Sequence, residues 1–312
     1  GDGSGMNLLD LRKQVWAPDL LEATAPELKR KLPSIGPSAS HAGKIDDYFC
    51  ERYGLATGTP VSLFTGDNPS SLVGLGASRT GRAVISLGTS DTFFAAMKKF
   101  QVDPDGCGHV FGNPLGGEMA LQCFVNGSLA REAVRDQGHY DWDGFSQALQ
   151  STAPGNDGCV MLPFYRPEIS PRVELDTPGL QGDEDFKNGR SPERLVRACV
   201  EAQFVNMKLR SQWMQLNLEV LYLTGGASGN DALAQVVADV FQCRVERLRS
   251  HSSVGLGAAM RAAHIELGWA MTVLENQFCQ PVEGGGLQPD RTLNKVYTEL
   301  ADVIESLIQQ KS

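Results

Sequence analysis

The sequence has no long apolar run, and this absence excludes a large class of proteins. No segment approaches the ~18 consecutive apolar residues that a helix needs to cross a bilayer. The first five residues, Gly1-Asp2-Gly3-Ser4-Gly5, carry neither the basic nor the apolar region of a signal peptide. We therefore expect a cytoplasmic protein without a membrane partner.

Basic residues are scarce relative to acidic ones. The chain has 28 Lys and Arg against 37 Asp and Glu, which gives a net charge of −9. This balance argues against nucleic acid or an anionic membrane surface as a partner. It leaves open a phosphorylated small ligand, because backbone N–H groups can hold phosphate without a basic side chain.

Disulfide and metal-binding patterns are also missing. The seven cysteines include no C-x-x-C pair and their number is odd, so we expect buried, reduced thiols in a cytosolic protein. The five histidines show no ligand spacing and no Cys/His cluster occurs, so no protein-bound metal is predicted. His251 precedes Ser252-Ser253-Val254 and is interpreted as a loop residue rather than a base.

What the chain does contain is an alternation of strand and helix patterns over 312 residues, enough for one large domain or two ordinary ones. The alternation predicts an α/β fold with a mixed sheet. Residues 151–190 are predicted to be mostly loop, and Asn126-Gly127-Ser128 could cap a helix. Strands are predicted at residues 59–64, 83–87, 92–97, 118–125, 219–223 and 244–248. Helices are predicted at 70–76, from 191 to about 216, after 230, at 255–267 and near the C-terminus.

Asp67 is the first candidate for catalysis, in Thr65-Gly66-Asp67-Asn68 after the predicted strand at 59–64. A carboxylate at the carboxyl end of a strand can face a cleft, and in phosphoryl transfer it can accept the proton of the attacking hydroxyl. The alternative is structural, since Asp67 or Asn68 before Pro69 could cap the following helix. The roles could also be shared, with Asn68 as the cap and Asp67 facing a substrate.

Gly88-Thr89-Ser90, between two predicted strands, is a candidate phosphate-binding turn. Glycine permits close approach of the backbone, and two hydroxyl groups with several N–H groups can bind phosphate oxygens. A plain hairpin turn is the alternative, because the same residue types are common there.

Thr224-Gly225-Gly226-Ala227-Ser228 connects a predicted strand to the helix that begins near Asn230-Asp231. A flat ligand could lie against the glycine backbone, with Asn230 donating a hydrogen bond. The pattern is not G-x-G-x-x-G, so a dinucleotide is not indicated. A tight strand-to-helix turn is the alternative.

Trp142 lies between Asp141 and Asp143 near a predicted helix start. An aromatic side chain flanked by acids is expected to be partly exposed and could stack on a base. The alternative is that it anchors the helix.

Taken together, these motifs resemble the FGGY carbohydrate kinases in order and spacing, closest to the eukaryotic-type members. Each motif alone is weak, but the ordered set is specific, and the resemblance covers essentially the whole chain. The segments that carry it are residues 2–9 (DGSGMNLL), 64–69 (FTGDNP), 86–93 (SLGTSDTF), 108–111 (GHVF), 126–129 (NGSL), 146–152 (SQALQST) and 224–230 (TGGASGN).

The resemblance implies an actin/hexokinase-like, ribonuclease H-like α/β fold with two lobes, and ATP and sugar bound in the cleft between them. Asp67 falls on the family's catalytic base, which would activate the sugar's 5-hydroxyl, and Asp67 and Asn68 both fall on sugar-contacting positions. Gly88 and Thr89 fall on a phosphate turn. The nucleotide-contacting positions fall on Trp142, Gly226, Ala227 and Asn230, with Gly225 beside them.

The implied reaction is D-xylulose + ATP giving D-xylulose 5-phosphate + ADP, with Mg²⁺ bound through the phosphates. Ribulose, glycerol or gluconate are alternative sugar substrates within the family. Another alternative is that the chain alone binds nucleotide without catalysis.

The chain departs from the family pattern in two ways. Many bacterial members have glycine after the Gly-Thr-Ser turn, whereas this chain has Asp91, which we expect to point away from phosphate or to bond the turn itself. The resemblance also implies that most of the family's N-terminal lobe is not part of these 312 residues. We interpret residues 1–80 as the remnant of that lobe and 81–312 as the C-terminal, ATP-binding lobe. The isolated chain is therefore expected to be inactive, with an apolar face that the missing lobe or a second chain would cover.

Overall fold

The structure is a computed structural model that describes residues 2–249 and 252–311. His251, interpreted above as a loop residue, lies outside the described residues. The described strands are β1 (Leu9–Asp10), β2 (Val15–Trp16), β3 (His41–Lys44), β4 (Pro60–Ser62), β5 (Arg82–Leu87), β6 (Asp91–Ala96), β7 (His109–Gly112), β8 (Glu118–Phe124), β9 (Val160–Leu162), β10 (Glu168–Ile169), β11 (Arg172–Val173), β12 (Gly179–Gln181), β13 (Val220–Gly225) and β14 (Arg244–Arg247). The described α-helices are α1 (Asp2–Gly5), α2 (Pro18–Thr24), α3 (Asp47–Tyr53), α4 (Asp67–Gly74), α5 (Ser128–Gln137), α6 (Trp142–Ser151), α7 (Glu184–Lys187), α8 (Pro192–Arg210), α9 (Asp231–Phe241), α10 (Ser253–Leu267), α11 (Met271–Phe278) and α12 (Asn294–Gln309).

A six-stranded mixed sheet organises the chain, in the order β14-β13-β5-β6-β8-β7. β14, β13 and β5 run parallel, while β5, β6, β8 and β7 pair antiparallel. The hairpin predicted around Gly88-Thr89-Ser90 is formed by β5 and β6, and its register pairs Leu87 with Asp91. The predicted α/β class with a mixed sheet is confirmed.

Different helices cover the two faces of this sheet. Along β5, Ala83, Ile85 and Leu87 belong to the larger buried cluster, whereas Val84 belongs to the smaller one, as expected when side chains alternate between faces. The larger cluster includes buried side chains of α5, α6, α8, α9 and α12. The smaller cluster includes Leu72 of α4. Burial on both faces explains why β5 and β13 read as nearly continuous apolar runs.

The strand predicted at 59–64 is shorter than expected. β4 spans Pro60–Ser62 and pairs with β3 in a separate two-stranded sheet. The partner β3 has four residues, so the pairing cannot continue far along the chain. Asp67 therefore begins α4 rather than ending a strand of the main sheet.

α4 packs closely against α10, and glycines at the crossing permit this. A Cβ added to Gly74 would collide with the carbonyl oxygen of Ser253, and one added to Gly257 would collide with that of Ser70. The hydroxyl groups of Ser71 and Ser253 are 2.8 Å apart in a hydrogen bond. The helix that carries Asp67 is thus fixed against a helix from the far end of the chain.

Some local predictions hold and others need correction. Residues 151–190 are mostly loop, as predicted, with short strands in which β9 pairs with β12 and β10 with β11. The helix predicted to run to about Leu216 ends at Arg210, since a 3₁₀ turn at Gln212–Met214 and the left-handed Gln215 follow. Of Asn126-Gly127-Ser128, Gly127 is the N-cap of α5, with no side-chain cap bond. The side-chain amide of Asn126 instead bonds the segment around Arg166 and Glu168.

Among residues 2–249 and 252–311, the longest apolar helices still fall short of what a membrane crossing requires. All seven cysteines are free. The expectation of buried thiols holds for Cys159, Cys199 and Cys243, and the other four are partly exposed.

Candidate active site

A cleft opens where two neighbouring parallel strands end. The parallel register of β5 and β13 pairs Leu87 with Gly225, so the turns that follow these strands meet at one edge of the sheet. The cleft has a volume of about 520 Å³. Its lining combines both turns with the starts of α5, α6 and α9: Leu87, Gly88, Thr89, Ser128, Arg131, Glu132, Trp142, Phe145, Gly226, Ala227, Gly229, Asn230 and Leu233.

The glycines at and just after the end of β13 have different roles. Gly225 has φ +91°, and a Cβ there would collide with the carbonyl oxygen of Leu87, so a side chain would push β13 away from β5. Gly226 and Gly229 are the opposite case, because a Cβ on either would meet nothing within 4 Å. The backbone there faces open space in the cleft, and the shape suits a flat ligand that lies directly on the main chain.

Trp142 forms part of the cleft wall at the first position of α6. Its side chain is 45% exposed, as the flanking acids suggested. The Arg135 guanidinium lies 4.4 Å from the centre of the indole ring, and the ring of Phe145 meets it edge-on at 5.5 Å. These contacts hold the indole in one orientation at the mouth of the cleft.

Asn230 connects two walls of the cleft. Its Oδ1 accepts a hydrogen bond from the N–H of Leu233 at 3.0 Å and so caps α9. Its Nδ2 donates to the hydroxyl of Ser146 at 2.8 Å, and that hydroxyl donates to the carbonyl of Trp142 at 2.9 Å. An amide has two N–H donors, and within the described part of the chain Asn230 donates only to Ser146, so its second donor can bind a ligand.

The turn Gly88-Thr89-Ser90 lies against the start of α5. The N–H of Ser128 donates to the carbonyl of Gly88 at 2.9 Å. Thr89 and Ser90 are exposed, and Gly88 and Thr89 line the cleft. Anions are favoured at such a place, because the start of a helix carries partial positive charge.

Asp91, which follows this turn, is buried rather than facing a ligand. It is 1% exposed, and its two carboxylate oxygens accept from the guanidinium of Arg131 at 2.7 and 2.9 Å. Of the two expectations for this residue, the structure shows the side chain directed into the protein.

Asp67 and Asn68 do not line this cleft. They open α4, with Gly66 as the N-cap and no side-chain cap bond there, so neither residue is the helix cap that was considered. Asp67 is exposed, and its Oδ1 accepts from the N–H of Asn68 at 2.7 Å. An accessible carboxylate at a helix start can accept a proton.

Sequence reasoning missed the contribution of α5 to the cleft. Ser128, Arg131 and Glu132 line it, although residues 126–128 had suggested only a helix cap. The spacing of Ser128, Arg131 and Glu132 places them on one helix face, and this was the available signal. Within the described ranges, no group of three or more His, Cys, Asp or Glu side chains is arranged for a metal ion.

Comparisons with known proteins show that the chain is similar to carbohydrate kinases. Residues 83–265 match the C-terminal domain of the FGGY family of carbohydrate kinases, and residues 1–74 match its N-terminal domain. The xylulose kinase of Rattus norvegicus is 41% identical over 269 residues, covering 84% of this chain and 49% of that protein. Xylulose kinase 2 of Arabidopsis thaliana is 37% identical, covering 86% of this chain and 50% of that protein. The chain thus spans about half the length of the curated relatives it matches.

Solved structures resemble the fold as well. A ligand-bound xylulose kinase from Lactobacillus acidophilus superimposes with a TM-score of 0.83 at 19% identity, covering 97% of this chain and 62% of that one. A glycerol kinase from Plasmodium falciparum with ADP gives 0.78 at 17% identity, covering 97% of this chain and 61% of that one. These likenesses confirm the expected actin/hexokinase-like α/β fold.

Proposed function

Because the chain belongs to the FGGY family of carbohydrate kinases, we propose that it carries the nucleotide-binding part of an ATP-dependent kinase for D-xylulose. The observation that carries this proposal is the meeting of the 88–90 turn, the 225–230 turn and Trp142 at one cleft. A hydroxyl-bearing turn, a glycine backbone and an exposed aromatic ring suit the phosphates and the base of ATP.

In this proposal the adenosine part of ATP lies against Gly226 and Ala227, beside Trp142, with the free donor of Asn230 in reach. The open space over Gly226 supports this placement. Gly225 contributes by keeping β13 close to β5. The phosphates lie toward Gly88 and Thr89, whose N–H and hydroxyl groups replace water. Mg²⁺ would bridge phosphate oxygens and neutralise part of their charge.

Asp67 is proposed as the general base and Asn68 as a second contact to the sugar. The 5-hydroxyl of the sugar forms a new bond to the γ-phosphorus while the bond to the bridging β–γ oxygen breaks and ADP leaves. Asp67 accepts the hydroxyl proton. The accessibility of this carboxylate and its fixed position on α4 support the role.

We also propose a domain boundary near residue 80, with 1–80 as part of the sugar-binding lobe and 81–312 as the ATP-binding lobe. α4 ends at Gly74, and the main sheet begins with Arg82. The free cysteines support a cytoplasmic location, where thiols stay reduced.

D-xylulose is the proposed acceptor because the relatives with 37–41% identity are named xylulose kinases. A gluconate kinase and a glycerol kinase also share the fold, so those sugars belong in the test. A second function, nucleotide binding without transfer by this chain alone, is favoured by the position of Asp67 outside the lining of the cleft.

Two measurements separate these proposals. Calorimetry of the chain with Mg²⁺ and a non-hydrolysable ATP analogue should show one binding site. A coupled assay for ADP, with D-xylulose, ribulose, glycerol and gluconate, should show turnover with D-xylulose in the complete gene product. If the complete product turns over none of the four sugars, the kinase proposal is wrong. If the 312-residue chain itself turns over D-xylulose, the proposal of binding without transfer is wrong.

A further inference from the structure

Arg131 is a fully buried cation directly behind the 88–90 turn. It lies on α5, is 1% exposed and borders the floor of the cleft. Its guanidinium holds both oxygens of Asp91 in a bidentate ion pair at 2.7 and 2.9 Å. Asp91 is the residue that immediately follows the turn, so the ion pair fixes one end of it.

Gln203 of α8 extends this ion pair to the chain beneath the turn. Its Oε1 accepts from Arg131 at 3.1 Å. Its Nε2 donates to the carbonyl of Asn126 at 2.6 Å and to that of Gly127 at 2.9 Å. The same segment is held from the other side, where Glu168 accepts from the N–H of Asn126 at 3.1 Å.

The segment 126–128 packs directly against the 88–90 turn. A Cβ added to Gly127 would lie 2.8 Å from the carbonyl oxygen of Thr89 and 2.7 Å from the amide nitrogen of Asp91. The next residue, Ser128, donates its N–H to the carbonyl of Gly88. The turn is therefore held at Gly88 and at Asp91, with the backbone of Gly127 packed between.

A buried ion pair is a costly way to fill a protein interior. Charges lose their hydration when buried, and an apolar pair of similar volume is often as stable or more so. What a bidentate arginine–carboxylate pair supplies is a fixed orientation of both side chains. The planar guanidinium donates to the two carboxylate oxygens in one geometry. Burial opposes the charge on Arg131, and the adjacent Asp91 carboxylate outweighs that effect, so the pKa of the guanidinium lies above its usual value.

We propose that Arg131 is a positioning residue which, through Asp91 and Gln203, holds the 88–90 turn in the shape that binds the phosphates of ATP. Its guanidinium is bonded to Asp91 and Gln203, so in this proposal Arg131 acts on the turn rather than by bonding a phosphate. The inference rests on the proposed function, since it takes the turn to be a phosphate site. It assigns to Asp91, the departure noted in the sequence, the task of linking that turn to the interior.

The test compares ligands with and without phosphates. The double variant Asp91→Asn/Arg131→Met removes both charges together, so no unpaired charge is left buried. Calorimetry of the chain with a Mg²⁺-bound non-hydrolysable ATP analogue and with adenosine measures the two affinities. We expect affinity for the analogue to fall about tenfold or more, because a displaced turn no longer matches the phosphates. Affinity for adenosine should change less than about twofold.

The chain offers a matched control. Arg197 and Glu201 form another buried ion pair, at 3.3 Å, within α8. The other partners of this pair are Leu149, Thr152, Gly155 and Tyr297, which lie outside the cleft lining. Arg197→Met/Glu201→Gln therefore removes a similar pair elsewhere. It should shift the thermal midpoint without changing either affinity.

The outcomes separate the two proposals. If the wild-type chain binds neither ligand, the proposed function is wrong, and this inference falls with it. If the wild type binds both, and the Asp91/Arg131 variant either keeps its affinity for the analogue or loses both affinities equally, only the positioning role is wrong. If that variant fails to fold, Gln203→Leu is measured with the same two ligands. We expect it to lose affinity for the ATP analogue, by less than the double variant, while its affinity for adenosine stays nearly unchanged.

Discussion

Gly74 of α4 and Gly257 of α10 meet backbone to backbone. A Cβ on Gly74 would lie 2.8 Å from the amide nitrogen of Gly257, and one on Gly257 would lie 2.9 Å from the amide nitrogen of Gly74. Carbonyl oxygens of the facing helix lie closer still. Since backbone atoms cannot rotate away as a side chain can, any larger residue must separate the helices.

Gly257→Ala should therefore destabilise the chain despite the better helix propensity of alanine. We expect a loss of about 1–3 kcal/mol in the free energy of unfolding, the usual cost of overpacking, measured by urea denaturation. Gly255→Ala is the control on the same helix, because its Cβ would meet only the side chain of Ser252, at 3.1 Å. Equal stability of the two variants would show that the close crossing is not maintained in solution.

Asp67→Asn tests the proposed general base. The amide keeps the size of the side chain but cannot take the proton, so kcat for D-xylulose in the complete gene product should fall by about 10²–10⁴-fold. Affinity for the ATP analogue should stay the same, because Asp67 lies outside the cleft lining. Steady-state ADP formation and calorimetry give the two values. A rate near that of the wild type would remove Asp67 from the base role.

Trp142→Ala tests the proposed adenine contact. Loss of stacking on an aromatic ring costs about 1–3 kcal/mol per base, so affinities for adenosine and for the ATP analogue should fall together, by about 5- to 150-fold. Trp269→Ala is the matched control and should leave both affinities unchanged. Trp269 is also 45% exposed but lies outside the cleft lining. Calorimetry with both ligands checks the result. A loss confined to the analogue would instead place Trp142 near the phosphates.

Much of this site could be predicted where the relevant residues are neighbours in sequence. Gly88-Thr89-Ser90 and Gly225-Gly226 follow apolar strands directly, so a local pattern of strand and glycine indicated both turns. That the turns meet depends on the pairing of β5 with β13, and these strands are far apart in the sequence. The resemblance to a family supplied this arrangement, which periodicity alone did not.

The ion pair of Asp91 could not be predicted from the sequence. Its partner Arg131 lies 40 residues away, and Gln203 lies a further 72 residues beyond Arg131. Nothing in the spacing of these polar residues distinguishes them from surface positions. The short length of β4 has a similar cause, because a strand extends only as far as its partner, and the partner β3 was not predicted.

Asp239 provides a prediction about pH. It is 6% exposed and accepts hydrogen bonds from the N–H of Asp290 at 2.7 Å and from Gln235 at 2.8 Å. Burial raises the pKa of its carboxyl above the usual value, and these two hydrogen bonds offset the shift in part. The folded protein therefore favours the neutral carboxyl more than the unfolded chain does. The stabilising contribution is fully present below the unfolded pKa of ~3.9 and is lost as the pH rises through the folded pKa.

In the variant Asp239→Asn the side chain is neutral at every pH, so the variant does not lose stability through ionisation at this position. We expect the free energy of unfolding of the variant, relative to wild type, to increase between pH 3.5 and pH 7. Urea denaturation at both pH values gives the comparison. Asp302→Asn, which removes an exposed carboxyl from α12, accounts for the general effect of one negative charge. If wild type instead gains stability relative to Asp239→Asn as the pH rises, the hydrogen bonds to the carboxylate outweigh its burial.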